Sequence, residues 1–422
     1  MSPRPRHPRR TPHGSIYVVA LSFGLLLAVI GLGTIAAARS YNRAQDRMND
    51  AADARNYAFS AVEVARRQIA SDPNWRTDYS NGTWFSSQPI GSGTMSVQVV
   101  NPNGPLNNAD NDPVIITALG IKGTARQMLT VTLTANTIPL TCLGVGLYCG
   151  GGGTFSSATV GGTSTISSGG TLTLTNSTFN ANRFEAVAIV PVGCTGMGPQ
   201  TILSTGRTLP SSGSLAYYTS HGTPISYASL PSGGCLQQCV LSPNSNPFGP
   251  QPDPQGIYVI DCGGQNINVQ NVRIVGTLVL LNTGNSSIIQ GSVNMAPVVT
   301  GFPALLVNGS MQIGITSAPL NESTAGNLNP PGTPYNGISN TTTTDSYPSL
   351  IQGLVYVSGN LSFTASASAT LKGNLITAGT LSVQGTLNIT YDPTSNQSPP
   401  PGFFTTPPPM LVSPGTWARV VN

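Results

Sequence analysis

The first 71 residues constrain this chain most, because they combine a basic segment, an uncharged apolar run and a polar-faced continuation. The segment before Gly14 carries four arginines and no acid. Residues 15–38 contain no charge, and at about 1.5 Å per helical residue this run crosses a hydrocarbon core about 30 Å thick. Arginine-rich flanks stay in the cytoplasm. The sequence therefore predicts a single-pass protein of the bacterial cytoplasmic (inner) membrane, with its C-terminal bulk periplasmic or at the cell surface.

The helix is predicted to continue beyond the membrane to about residue 71, where Asp72-Pro73 ends it. Small and apolar residues recur at spacings of three and four, the pattern of one buried helical face. These residues are Ala44, Met48, Ala51, Ala54, Ala58, Ala61, Ala65 and Ile69. The other faces predict local ion pairs. These pairs are Arg43–Asp46, Arg47–Asp50, and Glu63 with Arg66 or Arg67.

A basic leader that ends in Gly14, an apolar helix directly after it and an amphipathic continuation resemble type IV pilin-like proteins. The match is most similar to the PilX-type minor pilins and the K-type pseudopilins of general secretion. The resemblance implies that a prepilin peptidase cuts between Gly14 and Ser15, and that other pilin-like subunits are partners. Major pilins carry glutamate five residues into the mature chain and usually begin with Phe. This chain has Val19 and Ser15 at those positions, which favours a minor subunit.

Two other interpretations of this segment stay open. A plain signal anchor needs the same charges and the same apolar span. A cleaved secretory signal has a suitable site at residues 36–38, although the apolar run exceeds the usual length of about 7–15 residues.

Composition favours a chain of turns and short strands and argues against a nucleic-acid partner. Only 8% of the residues are charged, against about 25% in an average domain. Removing the four arginines before Gly14 leaves 18 − 4 = 14 basic against 14 acidic side chains. The basic pI of 8.8 therefore results from the arginines of the leader and does not indicate nucleic-acid binding.

All six cysteines follow the apolar run, where an oxidising compartment and an even count favour disulfide bonds. The candidates are Cys142, Cys149, Cys194, Cys235, Cys239 and Cys262. A local Cys142–Cys149 bridge is preferred, but the sequence selects no connectivity. A structural zinc site of four thiolates is the alternative, and the outer spacings of the last four cysteines fit no standard zinc module. We predict no metal and no cofactor.

Residues 72–138 are expected to form a small antiparallel β head. In residues 125–135 apolar and polar side chains alternate, which indicates a half-buried antiparallel strand. The small-residue face of the helix needs an apolar partner, and this sheet supplies one. Residues 114–133 also resemble the closing hairpin of the PilX-type and K-type heads, so that the resemblance covers roughly residues 5–138.

Residues 139–395 repeat a short phrase of glycine, a small polar residue and alternating apolar positions. It begins at Gly170, Gly276, Gly309, Gly359, Gly373, Gly379 and Gly385. Short strands between glycine turns, with few charges, favour a β-solenoid, which is parallel β-helix-like. Apolar residues should stack inward and Ser, Thr and Asn outward, with insertions at 195–255 and 316–347. A β-sandwich is the alternative. The predicted fold class is thus α+β, then all-β.

No pattern of catalytic residues stands out. Polysaccharide-active enzymes need paired carboxylates, and only Asp253 and Asp261 are close together, on either side of one predicted strand. His221 is interpreted as a loop residue. We therefore predict no catalytic residue and no enzyme activity, and a β-helix enzyme acting on polysaccharides is the least favoured hypothesis.

The predicted organisation is a leader (1–14), a transmembrane and amphipathic helix (15–71), a pilin-like head (72–138), a solenoid (139–395) and a tail (396–422). The Pro-rich tail should be extended. Docking on the solenoid through Phe403, Phe404 and Trp417 is favoured, and a partner-binding strand is the alternative. The favoured function is that of a minor pilin or pseudopilin in a type IV pilus or type II secretion system. The alternative is a signal-anchored adhesin that binds a surface glycan or protein without a filament role.

Overall fold

The computed structural model describes residues 14–162, 164–180, 182–249 and 251–420. The chain forms two compact units. One comprises residues 1–108, 112–134 and 410–422, and we call it the head unit. The other comprises residues 109–111 and 135–409, and we call it the solenoid unit. Of the predicted leader (1–14), residues 1–13 lie outside the described residues.

The helices are short except for the first. In chain order they are α1 (Gly14–Ser71), α2 (Trp75–Asp78), α3 (Ala216–His221), α4 (Pro231–Gly234), α5 (Glu322–Ala325) and α6 (Thr394–Gln397). Single 3-10 turns lie at Thr141–Gly144 and Tyr227–Ser229.

The strands dominate the rest of the described chain. The first are β1 (Gly82–Ile90), β2 (Gly93–Val100), β3 (Val114–Lys122), β4 (Ala125–Ala135), β5 (Leu147–Cys149), β6 (Gly153–Ser156), β7 (Thr159–Gly161), β8 (Thr165–Thr175), β9 (Thr178–Phe179), β10 (Arg183–Val192) and β11 (Gln200–Ile202). Next come β12 (Thr223–Pro224), β13 (Cys235–Gln237), β14 (Val240–Leu241), β15 (Ile257–Asp261), β16 (Asn268–Val275), β17 (Thr277–Thr283), β18 (Ile288–Ala296), β19 (Pro303–Gly309) and β20 (Met311–Ile315). The last are β21 (Leu320–Asn321), β22 (Ser346–Tyr347), β23 (Leu350–Val357), β24 (Leu361–Phe363), β25 (Ser368–Thr377), β26 (Leu381–Val383), β27 (Thr386–Thr390), β28 (Met410–Val412) and β29 (Ala418–Val420).

The head unit is α1 packed on an antiparallel sheet, as the sequence predicts. The sheet order is β1-β2-β3-β4-β28, and β29 also pairs with β4. The small residues Ala54, Ala58, Ala61 and Ala65 are fully buried. Ala61 and Ala65 pack on alternate residues of β2, β3 and β4, among them Val97, Ile116 and Val131. Of the three predicted local ion pairs, the described residues form only that between Glu63 and Arg66, 2.8 Å apart. The predictions of Arg43–Asp46 and Arg47–Asp50 pairs are wrong.

Helix and sheet approach each other closely at Gly120 of β3. A Cβ atom at this position would lie 2.0 Å from the carbonyl oxygen of Ala54 and 2.6 Å from the amide nitrogen of Ala58. The sheet can therefore touch the helix backbone only because residue 120 has no side chain and the facing helix residues are alanines. This contact fixes the position of α1 along β3.

The solenoid unit is a three-sided parallel β-helix, and the alternative β-sandwich is wrong. One sheet of 21 strands pairs in parallel throughout its described length, for example β15 with β17 and β25 with β27. Each turn of the coil, or rung, contributes three short strands. In the order in which the chain passes through each rung, we call the three faces the first, second and third sheets.

The rungs do not stack in the order of the sequence. Along the axis they comprise residues 223–241, 257–275, 277–296, 303–352, 354–372, 374–390, 147–161, 165–179 and 183–195. The chain thus builds the last three rungs first, returns along the solenoid and then winds the other six toward them. Residues 195–255, predicted to be an insertion, contain the first rung.

A continuous ladder joins rung 374–390 to rung 147–161. Residues 375–377 pair with 147–149, 381–383 with 153–155, and 386–388 with 159–161. The fully buried Asn374 strengthens this junction, since its Nδ2 donates hydrogen bonds to the carbonyl oxygens of Leu143 (2.9 Å) and Val145 (2.7 Å). Two pieces separated by more than 200 residues therefore form one coil.

The first sheet departs from the predicted pattern of apolar inside and polar outside. Its outward side chains form a second apolar cluster, which includes Val279, Leu306, Leu354, Tyr356 and Ile376. The returning segment, residues 203–222, adds Leu215 and Tyr218 to this cluster and so covers the face. Arg207 anchors that segment through a hydrogen-bonded ion pair of 2.5 Å with Glu185.

The solenoid unit is inserted into the head rather than following it, and the predicted tail is divided. Phe403 and Phe404 are buried in the solenoid unit, where the Phe403 ring packs edge-on against Tyr356. Residues 410–420 instead complete the sheet of the head unit through β28 and β29. The prediction that Trp417 docks on the solenoid is wrong, because its ring lies 5.2 Å from that of Phe59 in α1.

We expect Gly120→Val to destabilise the head unit by about 3 kcal/mol, because the new side chain would overlap the backbone of α1. All three tryptophans belong to this unit, so that denaturant unfolding followed by tryptophan fluorescence measures it. Thr117→Val is the matched control, since Thr117 lies on the opposite face of β3. Equal midpoints for the two variants would contradict the close approach.

We expect Asn374→Ala to weaken the junction between the two pieces of the solenoid by about 2 kcal/mol, because two buried carbonyl oxygens lose their donor. Amide hydrogen exchange of peptides covering 147–161 and 374–390 should become faster, while that of rung 277–296 changes less. Asn388→Ala, at an exposed position of the same rung, serves as the control. Unchanged exchange at the junction would show that the ladder alone holds it.

Candidate functional site

The most conspicuous functional feature is the exposed apolar half of α1. Among the described residues, one helix is long and apolar enough to cross a membrane. Its apolar side chains are exposed, for example Leu21 at 75%, Leu25 at 65% and Leu32 at 69%. Exposed leucines over several turns cost free energy in water. The predicted cleavage site, Gly14–Ser15, lies at the first residues of this helix.

The burial of α1 changes abruptly along its length. Every described residue from 16 to 49 except one is exposed, and burial on the head sheet begins at Ala54. The predicted stripe of small residues is therefore divided, because Ala44, Met48 and Ala51 do not enter the core. The C-terminal half of α1 packs in the core of the head unit. The N-terminal half is exposed and apolar, so that it needs a different apolar surrounding.

A groove of about 360 Å³ runs beside this helix in the head unit. Its lining includes Phe59 of α1, Leu129 of β4 and Trp417, together with the two arginines Arg55 and Arg419. The guanidinium of Arg55 lies over the Phe59 ring, 5.5 Å from its centroid. The sequence pattern gave no sign of this groove, because it depends on the return of residues 410–420 to the head.

The two carboxylates considered for catalysis each stabilise a turn of the backbone. Asp253 is buried and accepts hydrogen bonds from the amides of Gln255 (2.8 Å) and Ile257 (3.0 Å) and from the hydroxyl of Thr223 (3.1 Å). Asp261 accepts hydrogen bonds from the Asn282 amide group and the backbone N–H of Gly263.

The pKa of Asp261 is lowered by these bonds, first by that from the Asn282 side chain. A carboxyl group stabilised as its anion is a poor general acid near neutral pH. His221 stacks on Tyr217 with ring centroids 4.2 Å apart. The geometry therefore brings no acid–base pair together around these three residues.

A buried charged cluster, which the sequence analysis missed, anchors the insertion of residues 316–349. Arg273 of β16 donates hydrogen bonds to the carbonyl oxygens of Leu328 (2.7 Å), Thr333 (3.0 Å) and Pro334 (2.7 Å). Glu322 accepts hydrogen bonds from the Tyr347 hydroxyl (2.7 Å) and two backbone amides. Burial lowers the pKa of Arg273. These contacts fix a long loop on the third sheet and leave little room for chemistry.

A cavity of about 210 Å³ lies where the third sheet turns into the first. Its lining includes Phe302, Gln352 and Asp392. Asp392 accepts two hydrogen bonds from Thr394, and its pKa is lowered, first by the bond from the Thr394 hydroxyl. Within the described lining there is one carboxylate and no histidine or cysteine. The cavity can take a small polar molecule.

The six cysteines are free thiols in this structure. Cys142 and Cys149 pack in different apolar clusters, and no group of three or more potential metal ligands exists among the described residues. Burial raises the pKa of Cys142 and Cys239 to about 12 and that of Cys149 and Cys262 to about 11. The disulfide framework stays a prediction.

Comparisons with known proteins give little beyond the geometry. No protein-family model matches the chain, and no curated protein matches it. Among solved structures, the crystal structure of the competence-associated pilin ComZ from Thermus thermophilus matches with a TM-score of 0.31 and 9% identity, over 88% of this chain and 98% of that one. A similarity at this level carries no argument about fold or function.

We expect Cys194 to be alkylated before the four buried cysteines, because it is half-exposed, and before Cys239, because desolvation raises the pKa of the half-exposed Cys239 thiol to about 12. Only the thiolate reacts, and a thiol with a pKa of about 12 is ionised to roughly one part in ten thousand at pH 8. Iodoacetamide time courses at pH 8, read by peptide mass spectrometry, test this order. A parallel sample treated with reductant distinguishes a buried thiol from a disulfide. Cys142 reacting as fast as Cys194 would contradict the buried position.

Proposed function

We propose that this protein is a membrane-inserted, pilin-like minor subunit of a type IV pilus or a type II secretion system. One observation supports this most directly. A single helix, α1, combines an exposed apolar half with a half that packs through alanines on a small antiparallel sheet. Such a helix serves two surroundings in turn, lipid before assembly and the apolar helices of other subunits after it. Its partners are thus the membrane and other pilin-like subunits.

The leader provides the second support. Four arginines before Gly14 favour a cytoplasmic N terminus, which leaves both folded units outside the cytoplasmic membrane. The resemblance of the leader assigns Gly14 and Ser15 to cleavage by a prepilin peptidase. Val19, in place of the glutamate typical of major pilins, favours a minor subunit.

The function proposed for the solenoid unit is to be displayed as a partner-binding surface. It is the larger of the two units, and it is inserted between β4 and β28 of the head, so that both of its connections lead into one sheet. Two connections restrain a displayed domain more than a single flexible linker does. No catalytic step is proposed, since the carboxylates of Asp253 and Asp261 accept hydrogen bonds from backbone amides in turns.

A signal-anchored adhesin without a filament role is the second candidate. The same exposed half of α1 supports it, because a signal anchor also needs one uncharged span. The two candidates differ in the fate of the leader and in whether other pilin-like subunits co-purify with the protein.

We expect the mature protein from membranes of its host to begin at Ser15, and Gly14→Ala to leave the leader attached. Intact-mass and N-terminal analysis measure both. Gly24→Ala is the matched control, because it makes the same substitution in an open position of the same helix and should not affect processing.

An intact start at residue 1 or 2 in the unmodified protein would overturn the filament role and favour a signal anchor. A start near Arg39 would instead identify a secreted protein. Loss of co-purifying pilin-like subunits in Gly14→Ala, but not in Gly24→Ala, would link processing to assembly.

A further inference from the structure

The second sheet of the solenoid has an uncharged outward surface of hydroxyl and amide side chains over five successive rungs. Apolar side chains point inward, and the residues between them point outward. We call the outward set the neutral face. It comprises Ser310, Gln312, Asn360, Ser362, Thr364, Thr380, Ser382, Gln384, Thr154, Ser156, Thr171, Thr173 and Thr175.

The neutral face is ordered like a lattice, because its strands are in register. Ser362 pairs with Ser382, Ser382 with Thr154, and Thr154 with Thr173. Neighbouring strands lie about 4.8 Å apart, and residues two apart on a strand lie about 6.7 Å apart. Four hydroxyl groups thus form a straight central column. Gln312 continues it at one end, and apolar Ile288 and Val190 border it.

These hydroxyl groups are available to a ligand. In the described part of the chain no hydrogen bond is made by the side chains of Ser362, Ser382, Thr154 or Thr173, whereas Thr380 donates one to Asn360 within the face. Each of the four is at least partly exposed. A hydroxyl both donates and accepts, so that a column of them can match the hydroxyls of a polyol in either direction.

The other two faces differ. The outward side of the first sheet is apolar and is covered by residues 203–222. The third sheet is occupied by the insertion of residues 316–349, anchored at Arg273, and farther along it carries the exposed Lys372. The neutral face is therefore the one broad surface of the described solenoid that is both uncovered over these rungs and free of charge.

We propose that the neutral face binds an uncharged polysaccharide chain that lies along the solenoid axis. This inference deepens the proposed display function by naming the class of partner. A nucleic acid or an anionic polymer would need basic side chains, and a membrane surface or an amphipathic helix would need apolar ones. Sugar hydroxyls match what the face presents, and weak contacts repeated on each rung add up along one polymer.

The test uses the full-length protein in detergent and three neutral insoluble glycans, namely microcrystalline cellulose, chitin and cross-linked dextran, with alginate as an anionic comparison. We expect retention on at least one neutral glycan, with less than a twofold change between 50 mM and 500 mM salt, because no charges contribute. Stronger retention on alginate, or retention on none of the neutral glycans, would overturn the proposal.

Matched variants locate the binding surface. Thr154→Glu with Ser382→Glu places two charges on the neutral face, and we expect at least a tenfold loss of affinity. Thr159→Glu with Thr390→Glu places the same two charges on the same two rungs, but on exposed positions of the third sheet, and should change affinity less than twofold. Equal effects of the two pairs would overturn the assignment.

A second pair of substitutions, which adds no charge, tests the same surface in case the charged variants misfold. Thr154→Val with Thr173→Val removes two hydroxyls of the central column while keeping shape and strand propensity, and it should also weaken binding severalfold. Unchanged binding by this pair would count against the hydroxyl column. The assay needs no assembled filament, so that a failure here leaves the proposed subunit role intact, and an uncleaved leader would leave glycan retention intact.

Discussion

The parallel ladder between rungs 374–390 and 147–161 holds the larger unit together. Three separate groups of backbone hydrogen bonds cross this junction, and Asn374 closes its buried corner with two more. Without the junction the six rungs from residues 223–390 and the three from residues 147–195 would each expose an unpaired strand edge. The apolar outer layer depends on it as well, because Tyr148 and Ile376, on either side of the junction, belong to one cluster.

Local pattern was enough to predict much of this fold. The spacing of alanines predicted the packed face of α1, and alternation predicted β4. The phrase of glycine followed by alternating residues predicted rungs, because a rung repeats the same corner and the same inward positions. Each of these signals lies within a dozen or so residues, where side-chain periodicity directly reflects the local backbone.

Features that join distant residues were not predictable. Nothing in residues 147–161 marks them as the neighbours of 374–390, since parallel backbone pairing accepts almost any pair of alternating segments. The same holds for residues 410–420, whose proline-rich approach looked like a tail, although two short strands there complete the head sheet. The neutral face could have been inferred in part from sequence, because TLTLT in β8 alternates cleanly, but its columns depend on the register.

The non-sequential stacking also determines the order in which this protein can fold as it is made. Residues 147–195 leave the ribosome before any of residues 223–390, so that the three rungs built first must wait with one edge open for a partner that is synthesised last. The head is in the same position, because β4 acquires β28 and β29 only when the end of the described chain arrives. This β-helix therefore cannot fold rung by rung from the N terminus onward. Both units become complete only near the end of synthesis, and until then the open edges at β5, β6 and β7 are the sites that most need protection from wrong strand pairing.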